Sequence, residues 1–273
     1  MAQGHNISHY WWERHVPGLS LMRAEFTAHD YAPHMHDSCV IAVTERGGSR
    51  VSSRGVIDSL HLGVLFVSNP AETQSSWMNG TPVWRYRSFY LGAEGLEDIA
   101  RTLGVPAVPY FTCNFFTDVT LTRAFLRLHE LFERGGDEFE EREGFIRSFA
   151  ELFRRHGSGG RRIQPAPRDR TILRRVARIM RERYADSLRL DDLAAAVGLT
   201  PFQLIGLFKR SLGITPHAYL TQVRLAAARS LLQQRHPLAE TAAACGFYDQ
   251  SALNRHFKRS YGMTPRQFAQ SVL

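Results

Sequence analysis

Residues 204–216 read LIGLFKRSLGITP, and residues 253–265 read LNRHFKRSYGMTP. Forty-nine positions apart, the two segments share Leu, Phe-Lys-Arg-Ser, Gly and Thr-Pro in register. The helices before them correspond at an offset of 48, Ala194…Gly198 with Ala242…Gly246. The extra residue of the second copy therefore falls between Gly246 and Asn254, where a turn absorbs it. Two copies of a unit of about 50 residues are too few for a solenoid, which needs stacking neighbours. Each unit reads instead as helix, tight turn, helix. In the first copy Leu190, Leu193, Ala194 and Val197 form an apolar stripe at helical spacing. Gly198 tolerates the positive φ of a C-terminal cap. Thr200-Pro201 opens the next helix, with Thr as N-cap and Pro in the first turn, and Leu204, Leu207 and Phe208 are its buried face. The Thr-Pro device recurs at Thr215-Pro216 and Thr264-Pro265, where further helices begin.

Charge is divided as sharply as pattern. The 273 residues carry 34 Lys+Arg against 26 Asp+Glu, a net of +8, with 44% hydrophobic residues and so a globular composition. Residues 1–155 hold 15 Arg and 19 acids, a net of −4; residues 156–273 hold 17 Arg, 2 Lys and 7 acids, a net of +12. The two lysines, Lys209 and Lys258, occupy matching positions in the repeat. Such asymmetry points to a nucleic-acid-binding C-terminal half joined to an acidic partner domain. Gly and Pro residues between His156 and Pro167 make a linker where the sign changes.

A helix-turn-helix unit lays its second helix in the major groove, with exposed residues near that helix's N-terminus facing base edges. In copy one those positions are Thr200, Phe202, Gln203, Ile205 and Gly206; in copy two they are Gln250, Ser251, Asn254 and Arg255. Gln and Asn pair bidentately with adenine and Arg with guanine. Lys209, Arg210, Lys258 and Arg259 lie toward the far helix ends and suit phosphates or the helix dipole. The competing reading is two merely solvated polar faces, which two matched units in a +12 domain disfavour.

The residues from about Arg170 to Leu273 resemble the DNA-binding domain of the AraC/XylS family of bacterial transcription regulators. The resemblance is carried by Arg189-Leu-Asp-Asp-Leu-Ala, Val197-Gly-Leu-Thr-Pro201, Leu204…Phe208-Lys-Arg…Gly213, Tyr219-Leu220…Arg224…Ala228…Leu231-Leu232, Ala243…Gly246-Phe…Asp249-Gln-Ser251…Arg255…Phe257-Lys258 and Tyr261-Gly-Met-Thr-Pro265. It implies seven helices, with the one around Pro216–Gln233 bridging two recognition helices that meet successive major grooves. One departure stands out. The family often places a basic residue in the middle of the first recognition helix, as Arg255 does in the second, but copy one has Gly206. This implies that the first helix reads DNA through Gln203 and its neighbours, or mainly by shape, while the second makes the stronger base contacts.

The N-terminal half is strand-rich. Leu19–Phe26, Cys39–Thr44, Gly48–Ser53, Val64–Ser68 and Val83–Leu91 read as strands, and their spacing suggests a barrel or sandwich. With Tyr31-Ala-Pro-His34-Met-His36-Asp37, Gly63…Pro70-Ala-Glu72 and Trp84-Arg-Tyr-Arg87…Tyr90 in view, this half resembles the cupin-like sensor domain common in the same family. His34 and His36 alternate along an extended segment, so both imidazoles face one way. In metal-binding cupins such a pair joins a glutamate and a third histidine. No glutamate stands near Val40, and Thr73, Gln74 and Ser75 follow Pro70 instead of histidine. Two nitrogen ligands alone make a poor metal site. The pair therefore reads as polar elements of an effector pocket or a structural pair, with Arg50, Trp84, Tyr86 and Arg87 as further candidate liners. No metal, cofactor or catalytic arrangement is expected.

Leu121, Phe125, Leu128 and Phe132, then Phe145, Ile146, Phe149, Leu152 and Phe153, mark a helical hairpin broken at Gly135-Gly136. Its stripes dock on their own barrel or, as the family implies, support a dimer. Three scattered cysteines disfavour a disulfide framework. No apolar run approaches the roughly 20 residues of a membrane span, and residues 1–15 show no secretory pattern.

The expected architecture is α+β with two domains: an N-terminal cupin-like β-barrel with a helical hairpin, and a C-terminal all-α domain with two helix-turn-helix motifs. The boundaries are 1–115 for the effector domain, 116–156 for the hairpin, 157–169 for the linker and 170–273 for the DNA-binding domain, with its motifs at 188–210 and 237–260. The expected protein is a cytoplasmic, nucleoid-associated, homodimeric regulator, more an activator than a repressor and not an enzyme. Its partners would be double-stranded DNA, RNA polymerase and a small-molecule effector, with no membrane. The alternatives are a metal-dependent cupin enzyme carrying a DNA-binding module and a ligand-independent regulator.

Overall fold

Period-two alternation builds the first unit. In Trp84-Arg-Tyr-Arg-Ser-Phe-Tyr-Leu91, one face carries Trp84, Tyr86, Ser88 and Tyr90, and the other carries Arg85, Arg87, Phe89 and Leu91. Both faces are largely buried, so this strand needs a layer on each side. The computed structural model describes residues 6–28, 30–34, 36–78, 80–158, 170–261 and 264–271. The chain divides into two compact units, Met1–Gly135 with Gly144–Ile163, and Gly136–Glu143 with Gln164–Leu273.

The strands of the first unit are β1 (Ile7–Trp12), β2 (Leu19–Phe26), β3 (Asp30–His34), β4 (Cys39–Gly47), β5 (Ser49–Ser53), β6 (Val56–Leu60), β7 (Val64–Ser68), β8 (Gln74–Met78), β9 (Trp84–Leu91) and β10 (Phe115–Thr117). They form a six-stranded sheet, β1-β2-β9-β4-β7-β10, and a four-stranded sheet, β3-β8-β5-β6. Every described pair is antiparallel. The expected two-domain layout with a strand-rich N-terminal half is present, and its barrel is not closed but made of two sheets. Alternation and strand spacing reveal strands and faces, but not which edges pair. An apolar cluster of Ala24, Phe26, Ala42, Val51, Leu60, Val64, Phe66, Trp84 and Tyr86 is buried within the sheet-rich unit.

The other face of the large sheet is covered by helices. α1 (Ala93–Leu103) follows β9 and is not among the elements expected from the sequence. α2 (Val119–Arg134) begins at Asp118, whose side chain accepts from the Leu121 amide. α3 (Glu138–His156) completes the hairpin, its residues from Gly144 onward belonging to this unit. Phe89 of β9 lies 5.2 Å from Phe125 and 6.1 Å from Phe149 between ring centres. The hairpin's apolar stripe is therefore spent on its own sheet, leaving only its other face for a partner. Gly157 and Ser158, expected at the start of the linker, pack in this unit. Ser158 pairs with Tyr110, and a Cβ on Gly157 would lie 2.5 Å from the Pro109 Cβ. Residues 159–169 of the expected linker lie outside the described residues.

The second unit holds seven helices among its described residues, as the resemblance implied, apart from the first turns of α3. They are α4 (Arg170–Glu182), α5 (Leu190–Ala195), α6 (Pro201–Leu212), α7 (Pro216–Gln233), α8 (Leu238–Ala244), α9 (Gln250–Tyr261) and α10 (Pro265–Ser271). α7 spans about 27 Å at 1.5 Å per residue between the two helix pairs. Leu190, Leu193, Ala194, Leu204, Leu207 and Phe208 are buried in the first copy. Ala242, Cys245, Phe247, Leu253 and Phe257 cluster with Leu225, Ala228 and Leu232 of α7 in the second. Between its left-handed glycine and its N-cap, copy two has Phe247 and Tyr248 where copy one has Leu199 alone, and Asp249 caps α9 by accepting from the Ala252 amide at 2.6 Å. No helix among the described residues is long and apolar enough to cross a membrane.

Gly246 holds the second turn through two constraints. Its φ is +73°, and a Cβ there would meet the Tyr184 carbonyl at 2.8 Å and the Ala185 carbonyl at 2.9 Å. That 184–186 segment cannot yield easily, because the buried Arg224 guanidinium donates to the Tyr184 and Asp186 carbonyls. Gly198, at φ +68°, meets nothing within 4 Å. Gly246→Ala is therefore expected to destabilise by more than the roughly 1–2 kcal/mol of left-handed strain, and Gly198→Ala by about that strain alone. Thermal unfolding of the two variants side by side checks this; equal losses would refute the packing term.

Candidate DNA-reading surface and effector cavity

α6 and α9 each divide into a buried stripe and an open face. On α9, Ala252, Leu253 and Phe257 are buried, leaving Gln250, Ser251, Arg255, Lys258 and Arg259 exposed and Asn254 half-buried. These positions fall at i, i+1, i+4, i+5, i+8 and i+9, one continuous side of the helix. On α6, Lys209 and Arg210 are exposed, and Phe202, Gln203 and Gly206 are partly exposed. Ile205 is a correction. It is 3% exposed and lies among Leu204, Leu207 and Phe208, so it offers nothing to a base edge. Thr200 and Gln203 form a capping box. The Gln203 amide donates to Thr200 Oγ1 at 3.2 Å, and the Thr200 amide donates to Gln203 Oε1 at 3.0 Å. Gln203 thus spends its acceptor on the helix end. Thr264 and Gln267 repeat the device at α10.

The space between the two sheets is a cavity of about 730 Å³, within the range of small-molecule sites. His34, His36, Trp84 and Tyr86 line it, as expected. Arg50 does not. Val51 faces the cavity, so its neighbour on the same strand points the opposite way and is exposed. The wall also includes residues that the sequence did not single out, among them Tyr10, Met22, Tyr31, Gln74 and Ser76. The Trp84–Tyr86 pairing on β9 signals Ser88 and Tyr90 by the same parity. β8, with the sequence QSSWM, has no apolar alternation that would mark Gln74.

Trp84 and Tyr86 stack at 4.0 Å, and Trp84 Nε1 donates to Thr44 Oγ1 at 3.1 Å. His34 and His36 stand edge to face at 5.0 Å, and His36 meets Tyr90 at 5.2 Å. Burial pushes the Tyr86 phenol well above its ordinary pKa and Tyr90 up to about 12. Burial, and then the neighbouring His34, lower His36. Gln74 faces His34 across the β3–β8 pair, and its Oε1 is buried without a hydrogen-bond partner.

Behind this wall, on the opposite face of β9, sits Arg87. Its guanidinium donates to Glu45, to Glu133 and, at 2.8 Å, to His129 Nδ1. Since Arg87 only donates, His129 must carry its proton on Nε2, which donates to the Met22 carbonyl at 3.1 Å. Burial works against the Arg87 charge, yet the two carboxylates hold it more firmly protonated than usual. Burial, then the Arg87 charge, push His129 down to about 3. Met22 both lines the cavity and, through its carbonyl, is tied to α2.

Two family models match the chain, one described as a helix-turn-helix domain over residues 193–271 and one as an AraC-like ligand binding domain over residues 16–150. The chain belongs to the AraC family of transcriptional regulators, with a helix-turn-helix DNA-binding domain and an N-terminal ligand-binding domain. It is 28% identical over 219 residues to the HTH-type transcriptional regulator YbfI of Bacillus subtilis (strain 168), covering 80% of this chain and 79% of that one. It is 26% identical over 194 residues to the HTH-type transcriptional activator RhaS of Salmonella schwarzengrund, covering 69% and 67%. A solved regulator from Chromobacterium violaceum with an AraC-type DNA-binding domain is 31% identical, covers 37% of this chain and 92% of its own, and has a TM-score of 0.36.

The Arg87–His129 cluster makes stability pH-dependent with a definite sign. In the unfolded chain His129 titrates near its ordinary value of 6.5, and in the folded protein near 3. As pH falls between those values the unfolded state takes up a proton that the folded state refuses, so stability is lost. His129→Gln keeps both hydrogen bonds, since a carboxamide can accept from Arg87 and donate to Met22. Its melting temperature is expected to fall less than that of the wild type as pH drops from about 7 to about 5. Parallel slopes would refute the assignment.

Proposed function

We propose that this regulator binds operator DNA through the exposed faces of α6 and α9 and alters its occupancy when a small ligand fills the cavity between the sheets. The observation that carries this reading is the matched pair of helix-turn-helix units, each with a buried stripe and an open face ending in Lys-Arg, continuous and polar on α9. Arg255, Asn254, Gln250 and Ser251 are assigned to base edges. Lys209, Arg210, Lys258 and Arg259 are assigned to phosphates. Thr200 and Gln203 shape the first helix end, and Phe202 and Gly206 permit close approach.

Effector sensing is assigned to residues 1–115, together with the hairpin of 116–156, and DNA binding to 170–273; the linker expected at 157–169 loses Gly157 and Ser158, which pack in the first unit. The activator named among the relatives supports activation through RNA polymerase. The hairpin face turned from its own sheet is assigned to a homodimer, which would raise affinity for repeated half-sites through effective concentration. The working place of such a protein is the cytoplasm, on the nucleoid, and it acts as a regulator rather than a catalyst. A ligand moves this equilibrium only as far as it binds one arrangement better than the other.

Selection of bound sites from random DNA tests the assignment. Arg255→Ala is expected to relax base preference at one position, by roughly 1–3 kcal/mol of discrimination. Gln203→Ala is expected to leave preference largely intact while lowering thermal stability by about 1 kcal/mol through the lost cap. Equal loss of preference in both variants would remove the division of labour. Affinity is also expected to fall linearly in log–log dependence on salt, with Lys258→Ala reducing the slope by about 0.9. A flat salt dependence without sequence preference would refute DNA binding.

A further inference from the structure

The cavity wall has a charge pattern as specific as its shape. Among its described lining residues none is Lys or Arg. The nearby arginines turn elsewhere. Arg50 is exposed, Arg85 pairs with Glu25, and Arg87 is held by Glu45 and Glu133 on the opposite face of β9. The one carboxylate among the described lining residues, Asp37, is itself exposed. Aromatic faces from Trp84, Tyr86 and Tyr90 stand on the large sheet, and Gln74 with His34 on the small one supplies a polar counterpart.

We propose that this cavity takes an uncharged organic ring bearing hydroxyl or amide donors, and rejects carboxylates and phosphates. Such a ligand presupposes the effector cavity argued above and names its chemical class. An anion entering here gives up its hydration and finds no Lys or Arg, only the His34–His36 imidazole pair, of which His36 is pushed by burial and by His34 toward its neutral form, so it comes close to the costly case of burying an unpaired charge. Asp37 adds repulsion. A cation finds a single carboxylate, and that one is exposed to water and screened. An uncharged ring keeps the favourable term, laying a flat face on the aromatic wall, with its donors left to the polar groups of the small sheet. The phenols of Tyr86 and Tyr90 remain protonated at neutral pH, so they too offer hydrogen bonds without charge.

The test is a thermal-shift screen of the full chain against metabolite-like ring compounds sorted by formal charge at neutral pH, with calorimetry on each hit. Matched sets on one ring are included: glucose, glucuronate and glucosamine; catechol, protocatechuate and dopamine. Stabilisation by mass action marks binding. The expected hits are uncharged, with the carboxylated counterpart of any hit binding roughly tenfold or more weakly. Gln74→Lys, or Ser88→Lys from the opposite wall, is expected to weaken the uncharged hit and to restore its carboxylated counterpart. Wild-type binding of carboxylates or phosphates at equal or higher affinity, or binding confined to amines, would overturn the class while leaving the effector cavity standing. Binding by no charge class at all would overturn both.

Discussion

Arg87 is the point from which the first unit is held together. It sits on β9, buried, and its guanidinium joins Glu45 of β4 to Glu133 and His129 of α2. A buried cation of this kind is stable only with full hydrogen bonding, and removing one partner typically costs about 3–5 kcal/mol. That demand explains the neighbours. His129 must stay neutral to accept from it, and burial together with the Arg87 charge keeps it so. Glu133 also takes Arg23 of β2, so three strands and a helix are registered by one charge cluster. Because β9 alternates, fixing Arg87 on the helical side fixes Trp84, Tyr86, Ser88 and Tyr90 on the cavity side.

The second unit rests on a different economy. Apart from α7 its helices run 6 to 13 residues, and short helices draw little from propensity. They are specified at their ends instead: Thr200 with Gln203, Thr215 accepting from the Ala218 amide, Asp249, and Thr264 with Gln267 each satisfy donors that a helix start leaves open. The two copies share this plan without sharing its details. Copy two has, in place of the Thr-Pro opening, an Asp249 cap set one residue further from its glycine, and it packs Gly246 against the carbonyls of 184–185, where copy one leaves Gly198 in open space.

Much of this is legible in the sequence because period and punctuation are local. The ends of β2 and β7 can be read to the residue, and the apolar stripes expected for α2 and α3 are buried throughout. The failures share one cause, that facing is a tertiary property. Arg50 resembles a liner by its place on a strand, whereas the parity set by Val51 turns it out. Ile205 belongs to the reading face by its position in the motif, whereas the packing of Leu204 and Phe208 draws it in. Gln203 lies where the motif puts it, but its acceptor serves the cap. α1 does carry a helical stripe, Leu96, Ile99, Ala100 and Leu103 at i, i+3, i+4 and i+7, but it is only about two turns long and follows a glycine, so it is easily passed over in the sequence. The pairing of strand edges, and so the division of the strands into two sheets, leaves no local mark.

The cavity and the helical layer are two sides of one sheet, and Met22 belongs to both. Its side chain faces the ligand space while its carbonyl receives the His129 proton, so β2 cannot shift toward an occupant without lengthening that bond. The same strand carries Arg23, which shares Glu133 with Arg87. A ligand that fits the wall as it stands leaves the cluster undisturbed and stabilises the present arrangement. One that needs β2 or β9 displaced must supply enough affinity to break a buried charge network. The wall is therefore selective in two senses, by the charges it omits and by the displacement its far side resists.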